Sequence, residues 1–290
     1  MKPTQRQIYA ERIDRVVRHI EERSAHGDAP SLAELAAVAA MSVYHFHRVF
    51  RLMTGETVGE ATRRTRLART LPQLQGESTV TRAAGASGYA TAQGFARALR
   101  AQVGTSATVA RSSPELLDRL ASSLRLPSRQ DADEPPALGI EVVSIEPFRL
   151  LAVRNVGDYA ELDRGFAQLF DLVLQQIPPA SLLGIYGVPH DDPRSTAVQE
   201  CRFDCALATG GEGAPQGELF ELRLGGGAYV RLRHRGDYDR LHDVIDLAYA
   251  GAIALFERAI RDAPLFVHYL DDPEEVAEAD LRSDIFLPVT

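Results

Sequence analysis

The apolar residues of this chain recur with a helical period in its first part and alternate like strands in its second. Ile13, Val16, Val17 and Ile20 share one face of a helix predicted over Ile8 to Arg23. Ser31 with Glu34 three residues later is a capping-box pattern, which places a helix start just before Leu32 and an alanine-rich run to Ala40. Ser42 is the next N-cap candidate. Beyond it Phe46, Val49, Phe50 and Met53 form an apolar stripe, and Tyr44, His47, Arg48 and Arg51 form the opposite, polar one. Glu60 to Leu71 is a longer basic helix carrying Arg63, Arg64, Arg66 and Arg69, ended by Pro72. A second helix–turn–helix pattern follows: Thr79 to Ala86, a turn at Gly88-Tyr89, then Thr91 as N-cap of a helix to Val103. There Phe95, Leu99 and Val103 point inward, Gln93, Arg97 and Arg100 point outward, and Gly104 closes the helix.

Ser112 to Pro136 thins to a polar, proline-bearing stretch and reads as a partly helical linker. Strands are then predicted at Ile140–Ile145, Arg149–Val156, Leu182–Val188, Arg202–Ala208, Glu218–Leu224, Ala228–His234 and Asp284–Pro288. Helices interrupt them around Glu161–Gln176 and Tyr238–Arg261. This second part repeats itself: the strand, Gly-Asp-Tyr turn and helix start at 151–162 recur at 229–241, 79 residues later. Duplicated α+β halves often enclose a cleft at their junction, where small molecules bind. The expected division is therefore an all-α domain over residues 1–111, a linker over 112–136 and a duplicated α+β domain with an antiparallel sheet over 137–290.

Charge separates the same two parts. The chain of 290 residues has a net charge of −8, but residues 1–111 hold 16 Lys and Arg against 9 Asp and Glu. The remainder holds 16 against 31, so only the first part suits a polyanion. A helix that buries one face and shows Tyr44, His47, Arg48 and Arg51 on the other is one the major groove of double-stranded DNA accepts. With no long apolar run and a polar N-terminus, a cytoplasmic protein with no membrane partner is expected. Cys201 and Cys205 have neither metal-site spacing nor histidine company, and His190, His234, His242 and His268 form no ligand grouping. No metal or cofactor is therefore expected. Asp191-Asp192 and Asp271-Asp272, each beside a proline, read as turn residues rather than catalytic pairs.

The first part, over about residues 8–111, resembles the AraC family of transcription regulators. The residues carrying the resemblance are MSVYHFHRVFRLMTG from Met41 to Gly55 and Arg64-Thr65-Arg66-Leu67-Ala68-Arg69 after it. It implies two helix–turn–helix units joined by a linker helix, with Tyr44, His47 and Arg48 as base readers and Arg51 on phosphate; RNA polymerase is a further candidate partner. The second unit departs from the family at Ala83, Leu99, Ala107 and Ala110, where isoleucine, phenylalanine, proline and tyrosine are usual. A smaller core follows, at about 2–5 kcal/mol per uncompensated truncation. Gly94 reads nothing, leaving Gln93 and Arg97 as the readers there.

The second part, over about 138–290, resembles the GyrI-like effector-binding domains. It does so through Gly184–Pro193 (GIYGVPHDDP), Cys201–Asp204, Gly225–Val230, His234–Tyr238, Tyr269–Pro273 (YLDDP) and Leu281–Val289. The resemblance implies a duplicated α+β fold with an aromatic central cleft for hydrophobic, often cationic, small molecules. The family's glutamate two residues before the YLDDP tyrosine is replaced by Val267, and the chain has no tryptophan. The ligand-binding candidates are Tyr186, Phe203, Tyr229, Tyr249, Phe256, Phe266, Val267 and Tyr269, for an apolar or aromatic effector, neutral or cationic. The leading expectation is a non-enzymatic, ligand-responsive DNA-binding regulator. A hydrolase and an interaction module with a degenerate cleft are the alternatives, and Val267 argues against hydrolysis because it cannot transfer a proton.

Overall fold

The computed structural model describes residues 3–25, 28–74, 80–86, 89, 91–124 and 139–290. They fall into a helical unit from Tyr9 to Leu124 and an α+β unit from Gly139 to Thr290, with residues 3–8 grouped with the latter.

The helical unit begins within α1 (Gln5–Ala25), which buries Ile13, Val16 and Ile20 at helical spacing. In α2 (Leu32–Val38) the Ser31 hydroxyl caps the Glu34 N–H as expected. The Glu34 carboxylate does not reach back, however; it pairs with His19 Nε2 at 2.6 Å and with Arg23. That hydrogen bond from His19 holds Glu34 below the usual carboxylate range. A reciprocal capping box forms instead between Thr57 and Glu60, so α4 (Val58–Thr70) starts two residues earlier than the sequence suggested. Between α2 and α3 (Val43–Thr54), Ala40 stands at φ 52° and donates to Ala37 O, while the Met41 N–H reaches Ala36 O. This closure normally uses glycine.

Arg64, one of the four arginines that make α4 basic, is buried. Its guanidinium forks onto Glu56 (2.6 and 2.9 Å) and donates to the Leu124 carbonyl at 2.6 Å. After α5 (Val80–Ala86), α6 (Ala92–Val103) and α7 (Ala107–Arg111) comes α8 (Pro114–Ser123), inside the segment read as a linker. Leu117, Ala121 and Leu124 join Ala83, Phe95, Leu99, Ala107 and Ala110 in one buried cluster. The bulk missing from the second helix–turn–helix is thus supplied by the next helix. Thr79, Gly88 and 125–136, on which the sequence also placed a helix start, a turn and the rest of the linker, lie outside the described residues.

The α+β unit is one antiparallel sheet of eight strands in the order β1-β6-β8-β7-β3-β4-β2-β5. These are β1 (Ile140–Ile145), β2 (Phe148–Val156), β3 (Gly184–Pro189), β4 (Arg202–Ala208), β5 (Phe220–Leu224), β6 (Gly227–Arg235), β7 (Phe266–Tyr269) and β8 (Arg282–Pro288). Strand β7 was not foreseen from its short apolar pattern. Pairing β2 with β6, β3 with β7, β4 with β8 and β5 with β1 makes the order symmetric about the β3–β7 junction. There Gly187 lies opposite its own repeat counterpart, Val267. Side chains repeat the symmetry. Tyr159 donates to the carbonyls of Asp191 and Arg202, and Tyr238 to those of Asp271 and Arg282. Arg202 forks onto Asp191 as Arg282 does onto Asp271. The two Gly-Asp-Tyr turns therefore have one structural task each, tying a helix start to the far strand of its own half.

Two helices, α9 (Leu162–Leu174) and α10 (Leu241–Ala250), pack on the sheet. The latter stops short of the expected Arg261, widening into a π turn over Gly251–Leu255. Helix α9 sits directly on β2: a Cβ on Gly165 would lie 2.2 Å from Asn155 Oδ1.

Candidate functional site

Strand alternation sorts the second unit's aromatics onto two faces. Phe203, Cys205 and Leu207 join Leu169 and Val173 of α9 in one cluster, with Phe166 and Ile185 against it. Leu150, Ala152, Tyr229, Phe266 and Phe286 form another, with Phe148 and Tyr186 against it. A cleft of about 1000 Å³ opens on the first of these faces. Ile185, Phe203, Val267 and Tyr269 belong to its floor strands; Leu162, Phe166 and Phe170 of α9 and Leu241, His242 and Ile245 of α10 wall it. Tyr159 and Tyr238 also line it. The rings are packed edge to face: Tyr269 against Phe166 (5.6 Å) and Tyr238 (4.9 Å), and Tyr159 against Phe203 (5.2 Å).

Of the eight ligand candidates read from the sequence, Phe203, Val267 and Tyr269 line this cleft. Tyr186, Tyr229 and Phe266 do not, because their strand parity turns them to the opposite face. There Tyr186 stacks on His268 at 4.4 Å and Tyr229 bonds the Gly225 carbonyl. Tyr249 is fully buried on α10, and Phe256 follows the π turn; neither lines the cleft. The aromatics missed were Tyr159, Tyr238, Phe166 and Phe170. Their signal was present, since the two tyrosines are the repeated Gly-Asp-Tyr triplets and Phe166 and Phe170 follow Leu162 at helical spacing.

The lining is strongly acidic. Asp158, Asp163, Asp239, Asp271, Asp272 and Glu274 all contribute, and His242, stacked on Tyr159 at 5.6 Å, is the one basic side chain among the lining residues. Asp271 is neutralised by Arg282, whose hydrogen bonds hold it below the usual carboxylate range, and Asp158 caps the Ala160 N–H. Asp163, Asp239 and Glu274 have no basic partner among the described residues. Burial pushes the Tyr269 hydroxyl well above its ordinary pKa, so it stays a neutral donor at every physiological pH. On the opposite face, burial would raise the Asp204 carboxyl, but hydrogen bonds from Arg154 (2.7 Å) and His190 (2.7 Å) outweigh it and hold that group ionised.

In the helical unit the predicted readers Tyr44, His47, Arg48 and Arg51 follow one another along α3 as the spacing required. The expectation that this face stands open is corrected: His47 and Arg48 are 7% and 5% exposed, and Tyr44 and Arg51 are half-buried. Periodicity assigns a side chain to a face of its helix and is silent on what lies against that face. In the second helix–turn–helix, Gln93 and Arg97 are both exposed on α6. Gly94 occupies the first turn of that helix, where its N–H is capped by Thr91. Among the described residues no group of three metal-ligating side chains stands together, and no helix is long and apolar enough to cross a membrane.

Comparison with known proteins matches residues 139–290 to the GyrI-like small molecule binding domain and residues 35–113 to a helix-turn-helix domain. A probable transcriptional regulator of Escherichia coli strain K12, YgiV, is 31% identical over 120 residues, covering 39% of this chain and 71% of the relative. Among solved structures, the EcmrR C-terminal domain is 16% identical with a TM-score of 0.44, covering 53% of this chain and 98% of its own. EcmrR from a cryo-electron-microscopy DNA complex is 14% identical with a TM-score of 0.45, covering 90% and 99%. The chain belongs to the GyrI-like small molecule binding family, joined here to an AraC-type helix-turn-helix domain, and is a ligand-responsive DNA-binding transcriptional regulator.

Proposed function

We propose that the cleft between α9 and α10 binds a planar aromatic cation without turning it over, and that α3 reads the operator. The observation that carries the first part is the lining itself: aromatic side chains together with an excess of carboxylates. Rings supply area and cation–π attraction, and the carboxylates favour a positive ligand even though Val267 leaves the floor without an acid. Val267 also removes the place where a proton-transferring group would stand, which supports binding rather than hydrolysis. The second part rests on the donors Tyr44, His47 and Arg48 along one helix face, where arginine reads guanine bidentately. Base reading requires that face to be uncovered in the DNA-bound form.

The test is a pair of probes of equal shape, 10-methylacridinium and acridine, compared by thermal shift. The cation is expected to bind more tightly. At 100 times its Kd it should stabilise the α+β unit by about 2.7 kcal/mol, and it should be recovered unchanged. Equal shifts by both probes would show that the carboxylates play no part; no shift by either would remove the ligand assignment.

A further inference from the structure

The two halves of the α+β unit share their strand order and their Gly-Asp-Tyr turns, but they differ along one edge of the cleft. Arg194, on the loop after β3, donates two hydrogen bonds to Asp192 of its own loop and two to Asp246 of α10, at 2.7 to 3.0 Å. Asp192 is 1% exposed, and the α10 residues beside this clasp, Ile245 and Tyr249, are buried. At the equivalent positions of the other half, 80 residues on in the loop and 79 back in the helix, stand Glu274 and Ala167. An acid and a methyl group cannot form that clasp. Asp272, the counterpart of Asp192, is exposed, and so are Glu274 and Ala167. The cleft follows the difference. Ala167 and Phe170 line it while their counterparts Asp246 and Tyr249 do not, and 271–274 all line it where only Pro193 does in the first loop.

We propose that ligand enters and leaves along the α9 edge, between α9 and the 271–274 loop, while the Arg194–Asp246 clasp keeps the α10 edge shut. This rests on the reading of the cleft as a ligand site. The clasp is multidentate and joins a loop to a helix, so it restrains the loop where a lone surface pair would not. The opposite loop is held at Asp271 by Arg282 and Tyr238, but among the described residues no ion pair joins 272–274 to α9, so that stretch is the one able to move aside.

The clasp can be transplanted. In the double variant Ala167→Asp/Glu274→Arg, the new arginine would lie between Asp272 and the new aspartate, as Arg194 lies between Asp192 and Asp246. Acridine, neutral at pH 7.5, is the probe, so that the altered charge does not itself change the encounter. Stopped-flow association of acridine with the full chain is expected to slow at least tenfold in the double variant, with dissociation slowed in parallel. Arg194→Ala is expected to leave association as fast as wild type or faster. Hydrogen exchange supplies a ligand-free readout: amides of 272–276 should exchange faster than those of 192–196 in wild type, and become protected in the double variant. Unchanged acridine rates in a double variant whose loop has become protected would overturn the proposal while leaving the cleft a ligand site. Equal exchange of the two loops in wild type would overturn it directly. If wild type binds neither acridine nor 10-methylacridinium, the reading of the cleft fails and this proposal falls with it.

Discussion

Arg64→Ala is expected to cost the helical unit about 3–5 kcal/mol, enough to unfold a marginal domain at physiological temperature. The Arg64 and Glu56 side chains are almost fully buried, and the guanidinium satisfies both the carboxylate and the terminal carbonyl of α8. Truncating the arginine leaves a buried carboxylate without a partner and frees the helix that fills the second helix–turn–helix core. Replacing both partners, as Arg64→Met with Glu56→Leu, is expected to recover most of the loss, because two apolar side chains leave no orphaned charge. Chemical denaturation followed by far-ultraviolet circular dichroism measures both. A near-neutral Arg64→Ala would mean that α8 is held by its leucines alone.

Val267→Glu should change ligand preference more than any other single substitution in the cleft. Position 267 is buried on the floor, opposite Gly187 at the junction of the two halves, with Tyr269 two residues on. A carboxyl placed there loses hydration, so its pKa rises and the empty cleft holds it neutral. A bound cation reverses this. Binding of 10-methylacridinium is expected to tighten by tenfold or more, and binding of acridine to weaken. The pH dependence follows from the sign of the shift. The folded variant would hold a proton that the unfolded chain loses near pH 4.3, so its stability falls as pH rises above that value, by up to about 1.4 kcal/mol per pH unit. Ligand-free thermal scans from pH 4 to 8 read this directly. Stability of the variant that tracks wild type across the range would show that water reaches the floor.

The fold was readable because period and repeat carry it. Helical spacing located the helices of the first unit, and the recurrence of Gly-Asp-Tyr announced the duplicated sheet before any strand pairing was known. What the sequence could not show was which neighbour a side chain meets. Arg64 has the same local pattern as Arg63, yet one is buried on Glu56 and the other exposed. Glu34 has the spacing of a capping box but spends its carboxylate on His19, a contact 15 residues away. The strand aromatics Tyr186, Tyr229 and Phe266 lie on the face away from the cleft, because a shift of one position moves a side chain through the sheet. The tyrosines of the repeated turns, by contrast, read in the sequence as turn residues, yet they line the site. The edge asymmetry at Arg194 and Glu274 is visible in the aligned repeats, but it acquires meaning only once Asp246 is known to lie beside Arg194.

The central claim, that one chain couples a small-molecule cleft to DNA reading, is tested most directly by fluorescence anisotropy of the full chain on a duplex selected from random sequence. Titrations are run with and without saturating 10-methylacridinium, at two salt concentrations. The account predicts binding that weakens steeply with salt through counterion release, loses about 1–3 kcal/mol in Arg48→Ala, and shifts in affinity when the cleft is filled. An affinity for the duplex that is the same with the cleft empty and full would contradict it.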